Sequence, residues 1–232
     1  MKLILVGLPL GNIEDISLRA IKTLKEASLI ICEDTRVFQR LWQKLINEGH
    51  LEGKFLGDLR VLNDFNEAEK VEELLIEIKK VEKAILVSDA GLPTISDPGY
   101  RLVKRIIEEK GEIKIVPGPT AVMNSVAVSG FSSDKVVFLG FLPKKLGKRK
   151  NDLEILKNVR GKGITVVIYE SPHRINKTVK WLSEELGGEI EVALIRELTK
   201  KHEEIIRGSL KSLKEETEKR KLKGEIVLVI RF

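Results

Sequence analysis

The apolar positions of the chain fall into two alternating rhythms. Short aliphatic and β-branched runs, LILVG at 3–7, LIIC at 29–32, AILVS at 84–88 and IKIV at 113–116, have the length and composition of strands buried on both faces. Between them stand stretches with apolar residues three and four positions apart. In the first, over 15–27, Ile16, Ala20, Ile21 and Leu24 share one face, and helices over 35–46, 67–81 and 97–109 follow. This βαβα order predicts an open, mostly parallel sheet.

PGPT at 117–120 sets two prolines around a glycine at mid-chain, a stiff turn read as part of a hinge. The expected organisation is an N-terminal α/β domain over 1–116, a hinge over 117–121 and a C-terminal α/β domain over 122–232. In the second domain strands are expected at 136–141, 164–169, 191–196, 203–208 and 225–230, with helices at about 148–158, 172–186 and 209–219. EVALIR and EEIIRG are separated by too few residues for a helical crossover, so the second sheet must be mixed, with antiparallel pairs.

Composition narrows the class. The 232 residues are 42% hydrophobic, enough for a substantial core, and 33% charged. Lys plus Arg is 41 against 35 for Asp plus Glu, and the net charge of +6 suits either an anionic partner such as nucleic acid or a solvated lysine-rich surface. The one cysteine, Cys32, excludes an intrachain disulfide, fits a reducing cytoplasm and reads as a small core residue at the end of LIIC. MKLILVG is too short an apolar run for a signal peptide and nothing approaches membrane-span length, so a soluble cytoplasmic protein without membrane contact is expected. With three histidines, one cysteine and neither H-E-x-x-H nor C-x-x-C, no metal site is expected.

Three crests carry the candidate chemistry: GLPLGN at 7–12, CEDTR at 32–36 and SDAGLP at 88–93. Each places small or polar residues directly after a buried strand, where open α/β sheets bind ligands. Each also suits an ordinary turn or helix cap, with Asp34 or Thr35 capping one helix and Ser96 or Asp97 another. None is a phosphate loop. G-x-x-x-x-G-K-[ST] is absent, GLPLGN departs from G-x-G-x-x-G, and Pro9 has no N–H to offer a phosphate.

VGLPLGNIEDISLRA, CEDTR, VSDAGLPTISDPGYRLV, PGPTA, GFLPKK, YESPHR, RELTKKHEE and KGEIVLVI occur in this order. From Leu3 to the C-terminus the chain thereby closely resembles the small-subunit (16S) ribosomal RNA methyltransferase I family of the tetrapyrrole (corrin/porphyrin) methylase superfamily. The resemblance implies two α/β domains with S-adenosylmethionine in the cleft between them, usually in a homodimer, and 2′-O-ribose methylation of a cytidine in 16S rRNA. Carried over by position, the cofactor contacts are Pro9, Asp89, Ala90, Gly91, Leu92, Thr120, Ala121, Tyr169, Leu198 and Glu225. Several family members carry a further C-terminal extension, and no substrate contact made there is carried over to this chain. Two other readings stay open, a methyltransferase of a small tetrapyrrole-like substrate and a non-catalytic RNA-binding relative.

For the proposed chemistry the candidate general bases are Glu33, Asp34 and Glu170, all at strand ends. Glu33 and Asp34 are adjacent, so on a strand they point to opposite faces. Arg36, Lys144, His173 and Arg174 are candidate anchors for RNA phosphates. Lys144, Lys145, Lys148, Arg149 and Lys150 form the densest basic run, and it contains no aromatic residue. That run fits phosphate contact rather than base stacking, or a solvated loop.

Overall fold

The computed structural model describes Met1–Phe232, the side chain of Leu146 excepted. The chain divides into two compact units, Met1–Thr120 and Ala121–Phe232. Among the described residues, no helix is long and apolar enough to cross a membrane.

The first unit contains β1 (Lys2–Val6), α1 (Leu18–Lys25), β2 (Leu29–Cys32), α2 (Thr35–Asn47), β3 (Asp58–Val61), α3 (Glu67–Lys80), β4 (Ala84–Leu86), α4 (Tyr100–Glu108) and β5 (Glu112–Val116). Its strands lie in the order β3-β2-β4-β1-β5, and every pair is parallel. Alternation along the strands divides the core. Ile4, Val6, Ile30, Cys32, Ile85 and Val87 pack with residues of α1 and α2. Leu3, Leu29, Ile31, Ala84 and Leu86 pack with α3 and α4 on the other face. From β1 the chain winds outward to β2 and β3, then returns to β4 and passes β1 to reach β5. The winding therefore reverses between β1 and β4, which is where open parallel sheets leave a crevice at the carboxyl ends of their strands.

The second unit contains α5 (Ala121–Ser129), β6 (Val136–Phe141), α6 (Leu146–Val159), β7 (Thr165–Glu170), α7 (Ile175–Leu186), β8 (Glu191–Arg196), β9 (Glu204–Ser209), α8 (Leu210–Lys219) and β10 (Ile226–Arg231). Its sheet, β6-β7-β10-β8-β9, is mixed as expected. β6 and β7 are parallel, and the other three pairs are antiparallel. α6, α7 and α8 cover one face and α5 the other.

Two elements have no counterpart among the sequence expectations. β3 is an edge strand with no buried residue, so it carries no apolar run of its own. α5, AVMNSVAVS, has no charged residue and no polar face, so its helical period is hidden. Three helices, α1, α4 and α7, also start about three residues later than expected. α1 begins after Ser17, whose hydroxyl accepts from the Ala20 N–H at 3.0 Å. α4 begins after Pro98 and Gly99, the glycine at φ 118°, and the Glu67 carboxylate accepts from the Gly99 and Arg101 N–H groups in place of a local cap.

Pro117–Thr120, expected as part of a hinge, is built into the first unit. A Cβ on Gly7 would lie 2.6 Å from the Gly118 backbone nitrogen and 2.7 Å from its Cα. Backbone faces backbone here, and neither strand can yield. Gly7→Ala is therefore expected to cost about 1–3 kcal/mol by overpacking. Gly147→Ala, in helix α6 with open space around the added methyl, is expected to gain about 0.5–1 kcal/mol. Urea unfolding of the two variants beside the parent chain checks both signs.

Candidate functional site

The carboxyl ends of the five parallel strands form one crest. At its centre the loops after β1 and β4 are joined by reciprocal backbone hydrogen bonds, Leu8 N–H to Gly91 O at 2.8 Å and Gly91 N–H to Leu8 O at 3.1 Å. Gly91 takes φ 75° to complete the pair, a conformation that costs glycine little. Gly7 N–H bonds Val116 O at 2.9 Å, which ties β5 into the same crest. The buried Ser88 donates to Ala90 O at 3.0 Å and fixes the turn that carries Asp89. Pro9 is buried, and Ala90 and Leu92 are half-buried. Beyond Pro93 the loop is strained, with Thr94 at φ 73° and Ser96 at φ 64°, a region L-residues avoid.

β2 delivers two adjacent carboxylates to this crest, and they diverge. Asp34 is the N-cap of α2. Its Oδ1 accepts from the Arg36 N–H at 2.8 Å, and the Arg36 guanidinium grips it through Nη2 at 2.6 Å. The Arg36 side-chain and backbone hydrogen bonds hold the Asp34 carboxyl down at about 2. Glu33 turns instead toward β4, where its Oε1 accepts from the Asp89 N–H at 3.2 Å. Burial, then the charges of Asp97, Asp89 and Asp64, push Glu33 up to about 7 against the pull of that hydrogen bond. Burial also raises Asp89, opposed by a backbone hydrogen bond from Asp34. The crest thus holds one carboxyl that titrates near neutrality beside one committed to its arginine. Cys32, 1% exposed and pushed up to about 12 by burial, is a core thiol.

In the second unit Glu170 is fully enclosed. Its Oε1 accepts from Ser171 N–H and Arg174 Nε, both at 2.7 Å, and its Oε2 from Arg174 Nη2 at 3.0 Å and Thr178 Oγ1 at 2.5 Å. Four donors fill the lone pairs of the carboxylate, so Glu170 has no free oxygen for a substrate proton. Its work here is to hold Arg174, whose Nη2 also bonds Leu142 O at 3.0 Å. Thr178 gave no sequence signal, because its part in the cluster depends only on where α7 packs. Exposed His173 lies beside this cluster in sequence.

The basic run is divided by the fold. Lys144, Lys145, Lys148 and Lys150 are exposed around the start of α6. Arg149 is 6% exposed, donates to Pro143 O at 2.6 Å and lies over the Trp181 ring at 5.3 Å. Arg149 therefore serves the interior and is not presented to a phosphate, a correction to its expected role. Tyr169 packs edge-on against Phe138 and Phe141. Leu198 sits between Glu197 at φ 52° and Thr199 at φ 64°, and the buried Thr199 hydroxyl has no hydrogen-bond partner among the described residues. Lys200 joins Glu197 at 3.1 Å to the exposed Glu225 at 3.0 Å and steadies this loop. Thr120 and Ala121 are half-buried on either side of the division between the units. Among the described residues no group of three or more His, Cys, Asp or Glu side chains is arranged to hold a metal ion.

A sequence profile described as Tetrapyrrole (Corrin/Porphyrin) Methylases matches residues 2–214, and the chain belongs to that family. Its whole length is also similar to curated proteins with a narrower name. It is 41% identical over 229 residues to the ribosomal RNA small subunit methyltransferase I of Thermotoga maritima, covering 99% of this chain and 97% of that one. The protein of the same name from Bacillus subtilis is 36% identical over 228 residues, covering 98% of this chain and 74% of that one. Among solved structures, the methyltransferase CobJ superposes with a TM-score of 0.72 at 17% identity, covering 99% of this chain and 92% of that one. Uroporphyrin-III C-methyltransferase from Thermus thermophilus, complexed with S-adenosyl homocysteine, superposes with a TM-score of 0.67 at 17% identity, covering 99% and 97%. These likenesses agree with the expected two-unit α/β fold.

Glu33 and the buried Glu170 give separable expectations. Folded Glu33 keeps its proton to about pH 7, whereas the unfolded chain releases it near 4.5. The folded state binds more protons in that window, so stability present below pH 4.5 is lost as pH rises through 7. Glu33→Gln removes this loss, and its melting temperature relative to the parent chain is expected to climb between pH 4.5 and 7 and then level off. Thermal melts across that range check it. Glu170→Ala leaves Arg174 without its carboxylate partner and is expected to cost about 3–5 kcal/mol in denaturant unfolding.

Proposed function

We propose that the chain transfers a methyl group from S-adenosylmethionine to the ribose 2′-oxygen of a cytidine in small-subunit (16S) ribosomal RNA. The observation that carries this reading is the crest at the winding reversal, an acidic, glycine-lined cradle without a phosphate loop. Its chemistry fits the cofactor, which has an ammonium and a sulfonium but no phosphate. Gly7 and Gly118 let the loops after β1 and β5 close on each other, Gly91 supplies the left-handed turn, Asp89 and Glu33 complement positive charge, and Pro9 offers no N–H to a phosphate. The relatives' shared name along nearly the full chain supports the rRNA substrate.

Asp89, Ala90, Gly91 and Leu92, with Pro9 and Thr120, are the proposed cofactor contacts of the first unit. The family likeness adds Ala121, Tyr169, Leu198 and Glu225 from the second. When bound, S-adenosylmethionine supplies a methyl group already activated by its sulfonium. The residues of the chain then have to align the 2′-hydroxyl and receive its proton. Glu33 is the proposed proton acceptor. A carboxyl near 7 is half ionised at neutral pH and basic enough to draw on a hydroxyl, whereas Asp34 near 2 is a weak base. Arg36, Arg174, His173 and the exposed lysines Lys144, Lys145, Lys148 and Lys150 are proposed to meet RNA phosphates. The lysines gather at the N-terminal end of α6, where the helix dipole is also positive, an arrangement that favours a polyanion. A cytoplasmic homodimer belongs to the same reading.

The test is incubation with methyl-labelled S-adenosylmethionine and, separately, small ribosomal subunits, naked small-subunit RNA and a precorrin-type tetrapyrrole. Label is expected in the RNA, at a linkage that resists alkaline cleavage because its 2′-oxygen is blocked. Label in the tetrapyrrole alone would overturn the substrate. Single-turnover rate is expected to rise with pH through about 7 in the parent chain. Glu33→Gln is expected to lose roughly 10²–10⁴-fold with both ligands still bound. Asp34→Asn is expected to keep a pH profile with the same midpoint.

A further inference from the structure

Phe65 stands 96% exposed at the carboxyl end of β3, with nothing covering its ring. The turn that carries it is firmly knit. Asn63 N–H donates to Asn66 Oδ1 at 2.8 Å, Phe65 N–H to Asn63 Oδ1 at 3.1 Å, and Asn66 Nδ2 to Val61 O at 3.2 Å. A large apolar side chain held in water by a rigid turn is unfavourable in the free protein and useful to a ligand. On the other side of β2, the loop after β4 exposes Ile95 at 42%, between the left-handed Thr94 and Ser96. In the order β3-β2-β4 the strands that lead into these two loops lie about 4.8 Å to either side of β2, whose end at Cys32 leads into Glu33. Asp64 and Asp97, each within two residues of one of these apolar side chains, both act electrostatically on Glu33. Both loops thus follow strands that neighbour the one leading into Glu33.

We infer that Phe65 and Ile95 receive an unstacked nucleobase of the RNA substrate, with Phe65 stacking on its face and the attached ribose directed toward Glu33. This deepens the RNA reading and rests on it. The chemistry selects a base over other partners. The surrounding carboxylates repel phosphate, so the ring is not part of a phosphate track. Its chain neighbours Asn63, Asp64 and Asn66 are polar, so it is a single ring in polar surroundings, which suits stacking on one planar group rather than docking of an apolar protein face. Two strand spacings, roughly 9.6 Å, separate the end of β3 from that of β4. Phe65 thus follows a different strand from the loop that carries Asp89 and Gly91.

Equilibrium binding to a small-subunit RNA fragment, measured over a salt series with the full chain, tests the inference. Phe65→Ala is expected to weaken binding roughly 5- to 150-fold, the range for loss of one stacked base. Phe65→Trp is expected to restore it, and Ile95→Ala to show a smaller loss. The slope against log salt is expected to stay unchanged, because no phosphate contact is removed. Melting temperature and S-adenosylmethionine affinity of Phe65→Ala are expected to match the parent. If the parent chain methylates the RNA while Phe65→Ala binds and reacts indistinguishably, this inference falls and the substrate reading stands. If Phe65→Ala changes the sedimentation of the chain at unchanged RNA affinity, the ring is a contact between protein copies and the inference falls. If the parent neither binds nor methylates the RNA, both fall together.

Discussion

The crest of the first unit depends on two backbones that approach where neither residue carries a Cβ. Gly7 leaves β1 and Gly118 leaves β5, and a methyl on either would lie inside the other's main chain. That approach brings the loop after β5 alongside the loop after β1, while the Leu8–Gly91 bond pair brings the loop after β4 to its other side. Three loops that start on different strands are thereby fixed relative to one another by main-chain contacts. A site assembled this way tolerates change in many side chains, because position is set by glycine and by hydrogen bonds any residue can form. It tolerates almost none at Gly7 and Gly118. It also presents chain atoms rather than long side chains to a ligand, which suits a small polar cofactor held by carbonyl and N–H groups.

The alternating fold of the first unit was legible because its central strands are buried on both faces and therefore written as unbroken apolar runs. LIIC and AILVS have no other economical reading. β3 escaped because an edge strand with one neighbour needs no such run, and α5 escaped because an uncharged helix, AVMNSVAVS, has no charged face to set its phase. The mixed character of the second sheet followed from a single short connection, between EVALIR and EEIIRG. The crests themselves were visible as polar punctuation after buried strands. Their internal wiring was not, since the Glu33–Asp89 bond spans 56 residues and depends on β2 and β4 being neighbours, a pairing the chain order does not state. Arg149 shows the limit in the other direction. In the sequence it is one cation among five, and only packing against Trp181 and Pro143 removes it from the surface.

Three carboxylates at strand ends looked equivalent as text, and their surroundings give them three different chemistries. Asp34 sits at a helix N-terminus with a guanidinium two residues on, so every nearby donor favours its charged form. Glu170 is buried more completely than either of the others, yet its four donors make its oxygens fully occupied and turn it into a brace for Arg174. Glu33 is the one that is partly buried, faces other acids and receives one long hydrogen bond. Burial raises Glu33, and the supply of donors separates it from the other two. An acid whose oxygens are all engaged has none left for a substrate, and one with a dedicated arginine is held in its charged form. Only an acid left under-supplied, among like charges and at the mouth of a crest, has both the affinity and the free lone pair that a proton-accepting role requires.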